Sequence, residues 1–148
     1  MVALMYHIHE VNGLHSERVL RFFNSFEPEK FPELEHRHLR DGYWWLARGT
    51  DNGIVGFAGL VPMEPFKGVG YLKRAFVVPS ARGHSLQRKF IYAREAKARM
   101  LNWWMLVSEC DVDNVHSRRN FESLGFVLCS PEQPWGKPNS IYFQKVIA

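Results

Sequence analysis

The sequence predicts a mixed α/β (α+β) domain, with about six to seven strands, most of them antiparallel, flanked by about four helices. Three observations carry that prediction. The runs "YWWLARG", "GIVGFAGLVPM" and "VGYLKRAFVVP" are β-rich and separated only by "TDNG" and "EPFKG", which reads as three neighbouring antiparallel strands. The longest helical pattern, His84 to Leu101, follows them, with Leu86, Phe90, Ala93 and Leu101 near one face and Arg88, Arg94 and Lys97 on others. A short apolar run, "WWMLVSE", then leads into a second helical pattern, Asp113 to Leu124, which Gly125 stops.

The remaining elements fill in around this frame. Met5 to Val11 alternates as a strand does, with Tyr6, Ile8 and Glu10 facing away from His7 and His9. "HSERVLRFF" reads as a helix capped by Ser16, with Val19, Leu20 and Phe23 on one side. Pro28 and Pro32 break that pattern ahead of a more polar helix around Glu33 to Leu39, and Asp41-Gly42 marks a turn. Asp113 is the candidate cap of the late helix. "FVLCS" and "IYFQKVI" close the chain as two strands around a proline-rich loop, Pro131 to Asn139.

The bulk numbers bound the function. A chain of 148 residues with no repeat or long linker predicts one domain spanning residues 1–148. Its 46% apolar content is ordinary for a soluble protein, and no window is apolar for long enough to span a membrane. The start of the chain has no secretory signal, so the expectation is a cytoplasmic protein. A net charge of +4 suits an anionic ligand; nucleic acid is only a secondary partner, since no block of like charge stands out to bind it. Cys110 and Cys129 are too few for a disulfide framework and read as reduced, partly buried thiols. His7 and His9 share a strand face, but with no third ligand in view no metal is expected.

The most informative stretch is "RAFVVPSARGHSLQRKF". A strand ends at Val77, Val78 and Pro79, and a turn leads straight into a helix. Free N–H groups and the dipole at a helix start make a ready anion site. Gly83 lets the backbone approach closely, and Arg82, Arg88 and Lys89 add positive charge. A plain connection into a solvated basic helix is the competing reading. A Walker loop is excluded, because the Gly-Lys-Ser/Thr ending is absent.

"VVPSARGHSLQRKF" resembles the coenzyme A pyrophosphate loop of the GNAT superfamily of N-acetyltransferases, in which Gln/Arg-x-x-Gly-x-Gly/Ala follows a strand. Arg82 fills the first position, while Ser85 and Gln87 stand where small residues usually fall. "DNVHSRRNFESLGF" is similar to a second segment of that family, matching it at Asn114, Ser117, Gly125 and Phe126. The resemblance implies a GNAT-like fold, a mostly antiparallel sheet splayed in its middle. It also implies an acetyl-CoA-dependent N-acetyltransferase acting on a primary amine of a small molecule or peptide, working as a monomer or homodimer. The implied coenzyme contacts are the backbone of Phe76, Val77 and Val78 for the pantetheine arm and the amides of Gly83, His84, Ser85, Leu86 and Gln87 beside Arg82 for the pyrophosphate. Asn114 and Ser117 fall at the thiol end.

The amine must lose a proton before it attacks, since a free alkyl amine has a pKa of about 10. The strand "YLKRAF" offers no carboxylate, which leaves Glu109 as the candidate base and Asp111 behind it. The tyrosine that the family uses to protonate the departing thiolate is Phe121 here, a core position by its helical face, so the acid is Tyr142, Ser117 or a water, with Tyr142 the residue named for the site, or the chemistry is impaired. Phe22, Phe23, Phe26 and Phe31 read mostly as core. Trp135, among prolines, reads as part of a stiff lid over the acceptor, and one of Trp44 and Trp45 is expected on a cleft or solvent face. The substituted turn positions and Phe121 keep two alternatives open: a GNAT-fold protein that binds coenzyme A or a partner without efficient transfer, and a nucleic-acid-associated module.

Overall fold

A computed structural model describes residues 5–11, 17–26 and 32–148; the expected cap Ser16, the breaker Pro28 and Phe31 lie outside them. The strands are β1 (His7–Val11), β2 (Tyr43–Arg48), β3 (Ile54–Pro62), β4 (Val69–Val77), β5 (Met105–Asp111), β6 (Val127–Cys129) and β7 (Ser140–Val146). The helices are α1 (Glu17–Asn24), α2 (His36–Asp41), α3 (Leu86–Met100) and α4 (Val115–Ser123), with a 3-10 turn at Pro79–Ala81. The strands form one sheet in the order β1-β2-β3-β4-β5-β7-β6. The ladders β1–β2, β2–β3, β5–β7 and β6–β7 are antiparallel. The ladder between β4 and β5 is parallel and covers only Val69–Met105, Gly70–Leu106 and Tyr71–Val107. The mixed, mostly antiparallel sheet with four helices is the architecture the sequence predicts.

The chain divides into two compact units, Met1–Val61 with Lys73–Phe90 and Pro62–Leu72 with Ile91–Ala148. The first is built on aromatic packing. Phe23 of α1 stacks on Phe57 of β3 with ring centroids 4.2 Å apart, Trp44 lies 5.5 Å from Phe23, and Phe26 lies 4.8 Å from Phe76. Such pairs add about 1 kcal/mol each beyond the apolar area they bury. Neither Trp44 nor Trp45 faces a cleft: both are buried, at 1% and 5% exposure. Four consecutive residues of β2, Trp44 to Ala47, are buried, so both faces of this inner strand are covered and alternation exposes neither ring.

The Asn24 side chain fastens the end of α1 to the segment before α2. Its Nδ2 donates to the Leu34 carbonyl at 3.1 Å and its Oδ1 accepts from the Leu34 amide at 2.8 Å. Within α2, His38 Nδ1 accepts from the Glu35 amide at 3.1 Å. Burial, then the nearby charges of Lys73 and Arg37, pushes the His38 imidazole down to about 4.

In the second unit, α4 packs Phe121 against Phe143 of β7 at 5.0 Å and against Phe126 at 5.2 Å, which places Phe121 in the core as its helical face predicts. Two expectations about α3 and α4 are corrected. Arg94 is not on a polar face of α3: it is 1% exposed. Burial pushes its guanidinium down to about 9, so it stays charged at neutral pH, with the Tyr71 hydroxyl among the groups it faces. The cap of α4 is Asn114 and not Asp113, because the Asn114 Oδ1 accepts from the Ser117 amide at 3.1 Å while the Asp113 amide turns back to Asp111 Oδ1 at 2.9 Å. Cys110 and Cys129 are both free thiols. Burial and the carboxylates of Asp111 and Glu109 push the Cys110 thiol up to about 11, which makes it a poor nucleophile.

A lowered His38 pKa has a definite sign for stability. The unfolded chain binds a proton below its ordinary value near 6.5, whereas the folded chain resists it until about 4. The contribution is therefore complete above 6.5 and lost as pH falls from 6.5 through 4. Replacing His38 with Gln should flatten the fall of unfolding free energy across that window relative to the wild type, as read by urea titrations at stepped pH.

Candidate functional site

The link from β4 to α3 lies wholly in the first unit. The 3-10 turn at Pro79–Ala81 closes with the Arg82 amide donating to the Pro79 carbonyl at 3.2 Å. The backbone then turns left-handed at Gly83, with φ of 85°, and again at Ser85, with φ of 60°. This second turn is why α3 begins at Leu86 and not at His84, since a left-handed residue cannot continue a right-handed helix. The first helical bond runs from the Lys89 amide to the Ser85 carbonyl at 3.1 Å, so the amides of Leu86, Gln87 and Arg88 have no acceptor within the helix. Alternating left-handed residues ahead of a helix start gather N–H groups into an anion-binding concavity. A side chain built at Gly83 would meet nothing within 4 Å, so the space in front of the turn is open.

Two of the expected contact residues have a further task. Arg82 Nε donates to the Val77 carbonyl at 3.0 Å, and Gln87 Nε2 donates to the Ala75 carbonyl at 2.8 Å. These side chains tie both ends of the turn to alternate carbonyls of β4. The Val78 amide is already spent on the Val55 carbonyl of β3 at 2.8 Å, and the Phe76 ring packs in the core. Val77 is thus the residue of the Phe76–Val78 stretch whose carbonyl turns toward Arg82. Leu86 is buried at 2%, so it presents only its backbone, and the His84 ring lies 4.8 Å from Tyr6.

The second unit gathers a different set. Glu109 of β5 and Tyr142 of β7 are directly opposite in the antiparallel ladder. Tyr71 lies opposite Val107, two residues before Glu109 on the same face of the sheet. The Glu109 carboxylate accepts from the Tyr71 hydroxyl through Oε1 and from Trp135 Nε1 at 2.6 Å through Oε2. The Trp135 ring stands edge-on to Tyr142 at 4.7 Å and to Tyr71 at 6.3 Å. The Tyr142 hydroxyl accepts from the Gly136 amide at 2.9 Å, which leaves its own proton available to donate. A half-buried carboxylate with three aromatic side chains around it is a natural acceptor of a proton or an ammonium group.

The acetyltransferase (GNAT) family model matches residues 11–126. The chain belongs to the GNAT acetyltransferase family. Solved structures agree in fold. A GNAT-family acetyltransferase from Staphylococcus aureus is 18% identical with a TM-score of 0.73, covering 96% of this chain and 99% of that one. A ribosomal-protein-alanine N-acetyltransferase from Brucella melitensis is 19% identical with a TM-score of 0.72, covering 95% and 99%. A Salmonella typhimurium protein solved with its cofactor acetyl-CoA is 16% identical with a TM-score of 0.72, covering 96% and 94%. No curated protein matches the chain in sequence.

Membership of the family gives the turn a reference. The position where a GNAT turn usually has its first glycine is Ser85, and Ser85 adopts a glycine-like φ all the same. The substitution therefore keeps the backbone path and stores strain in it. Asn114 and Ser117 come together through the α4 cap, so the Asn114 carbonyl oxygen is partly occupied there. Tyr71 is the residue that the sequence pattern hides: the strand "YLKRAF" holds no carboxylate, and its tyrosine supplies a donor to the carboxylate of the neighbouring strand instead. Arg94 was missed for a similar reason, as nothing in the pattern of α3 separates a buried arginine from a solvated one.

A left-handed serine costs about 1 kcal/mol or more relative to glycine. Ser85→Gly is expected to raise stability by about 1 kcal/mol or less after the added chain entropy of glycine, whereas Ser85→Val should lower it by more than about 1 kcal/mol. Thermal unfolding of the two variants beside the wild type checks both signs.

Proposed function

We propose that the protein is an acetyl-CoA-dependent N-acetyltransferase that acts on a primary amine of a small molecule or peptide. The observation that carries this reading is the doubly left-handed turn at Gly83 and Ser85, which leads into a helix start and has open space at Gly83. The residues present fit a pyrophosphate: amides from Gly83 to Gln87, the positive end of α3, and the guanidinium of Arg82 close by. Val77 extends this cradle along β4, where a pantetheine arm would add as a strand does. Acetyl-CoA, when bound, supplies an activated acyl thioester. The chain's own residues do the rest. Glu109 takes a proton from the substrate's ammonium group so that the free amine attacks the thioester, Trp135 and Tyr71 fix the carboxylate's orientation, and Tyr142 is the candidate donor of the proton that leaves with the thiol. Ser117 and Asn114 belong to the coenzyme side of this reading. The protein's acceptor, its oligomeric form as monomer or homodimer and its cytoplasmic setting belong to the same proposal. Among the described residues no helix is long and apolar enough to cross a membrane.

One observation favours a second reading, binding without efficient transfer: Phe121 is a packed core ring with no hydroxyl to offer. Two experiments separate the readings. Calorimetry with acetyl-CoA should show binding by the wild type that falls at least about tenfold in Gly83→Trp, whose ring enters the open space at Gly83 while any side chain there strains a backbone of φ 85°. Gly83→Ala, which carries the same backbone strain without the ring, should keep most of the affinity and so separates the ring from the strain, and wild-type protein that binds no acetyl-CoA refutes the cradle. Glu109→Gln should keep the acetyl-CoA affinity and lose about a hundredfold or more in kcat/KM for thiol release with an amine, the range for a general base. Full activity in that variant would remove Glu109 from the chemistry.

A further inference from the structure

The Glu109 carboxylate and the Tyr71 hydroxyl form a bonded pair of a base and a weak acid within the second unit. The neighbours of the pair are clamped to each other. Ser108, which precedes Glu109, is buried at 3% exposure, and its Oγ donates at 3.2 Å to the carbonyl of Leu72, which follows Tyr71. Trp135 Nε1 donates to the second carboxylate oxygen at 2.6 Å, so both donors orient Glu109. Only one of them belongs to a group that gives up its proton in ordinary acid–base chemistry, since an indole N–H is a donor and nothing more.

We propose that Tyr71 is the general acid of the reaction, passing its hydroxyl proton to the departing thiolate and recovering one from Glu109. The inference rests on the acetyl-transfer reading above and moves the acid from Tyr142 to Tyr71. Tyr142 is only 8% exposed, its hydroxyl accepts from the Gly136 amide, and it stands on β7, one strand further from β4 than Glu109. Tyr71 is half-buried and lies on β4 itself, the strand that the pantetheine arm follows in that reading. Residues 71 and 77 of one strand are at most about 20 Å apart at a rise of about 3.3 Å per residue, a span that an extended pantetheine arm covers.

Proton affinities favour the pair over an isolated hydroxyl. By ordinary values a phenol holds its proton more tightly than an alkyl thiol, at about 10 against about 8.5, while a carboxyl group, at about 4.3, gives its proton to either. A hydroxyl acting alone passes its proton uphill; with a protonated carboxyl behind it, the coupled transfer runs downhill. The acceptor's ammonium group gives one proton to Glu109. As the nitrogen–carbon bond forms and the carbon–sulfur bond breaks, the Tyr71 proton goes to sulfur and the Glu109 proton replaces it on the hydroxyl. A second proton leaves the nitrogen for water, so amide, free thiol and hydronium balance ammonium, thioester and water. The buried guanidinium of Arg94, whose charge bears on Tyr71, is opposite in sign to the phenolate that this exchange passes through.

Tyr71→Phe and Trp135→Phe each remove one donor to Glu109, and only the first removes an acid. Tyr71→Phe should lower kcat for thiol release by about a hundredfold or more at unchanged acetyl-CoA affinity. Trp135→Phe should cost about tenfold or less, the size of one lost hydrogen bond, and Tyr142→Phe should cost less than Tyr71→Phe. With 3-fluorotyrosine at position 71, a more acidic phenol, the basic limb of kcat should move to lower pH. The same label gives a readout without turnover: its ¹⁹F resonance should shift with coenzyme A and stay in place with desulfo-coenzyme A. Equal losses in Tyr71→Phe and Trp135→Phe, a larger loss in Tyr142→Phe, an unmoved basic limb or equal ¹⁹F shifts with the two ligands each overturn the proposal. Transfer that survives Tyr71→Phe overturns it alone, whereas wild-type protein that transfers to no amine brings down the transfer reading and this inference together.

Discussion

The constraint on which the coenzyme reading depends is the reversal of backbone hand at Gly83 and Ser85. A chain leaving β4 could enter a helix by many routes. This one bends left-handed twice within three residues, a geometry that favours clustered amides, and starts α3 with its first three amides outside the helix's own bonding. The surroundings hold that geometry in place. Arg82 and Gln87 bind the carbonyls of Val77 and Ala75, so the entrance and exit of the turn are fastened to the same strand. Leu86 is sunk into the core and anchors the first turn of the helix. Strain at Ser85 persists because these contacts over-determine the path.

The second unit solves a different problem, that of keeping a carboxylate ready inside a partly apolar surface. Glu109 is half-buried, and both of its oxygens accept from neutral donors, Tyr71 and Trp135. Neither donor carries a charge that would compete for an ammonium ligand. The proline-rich loop reaches the sheet through Trp135 and Gly136, whose amide binds the Tyr142 hydroxyl. A loop fastened at two adjacent residues is a wall of fixed position beside Glu109.

Much of the fold was legible because its signals are local. Hairpin spacers set off β2, β3 and β4, the two late helices had clean apolar periods, and Gly125 stops α4 with φ of 90°. The turn proposed as the cradle is likewise local, one continuous stretch from Val77 to Gln87, so its left-handed path lies wholly within residues that the sequence singles out. What stayed hidden depends on partners distant in sequence. The burial of Trp44 and Trp45 requires knowing that β2 is covered on both faces, and the burial of Arg94 requires knowing which side of α3 meets the sheet. The donor role of Tyr71 appears only once the three-pair parallel ladder aligns it with Val107 and so with Glu109. Asn114 was named for the coenzyme, yet its nearest task is to cap α4, a local bond that proximity in sequence made the competing reading from the start.

The most direct test of the turn as the seat of the coenzyme is an amide chemical-shift titration of isotope-labelled protein with acetyl-CoA. A cradle at Gly83 and Ser85 predicts the largest saturable shifts at the amides of Gly83 to Arg88 and at Val77. It also predicts that those of Gly83 to Arg88 largely disappear when a ligand lacking the pyrophosphate, such as pantetheine, replaces the coenzyme. Saturable binding that leaves those amides unmoved, or that moves them equally with pantetheine, would contradict it.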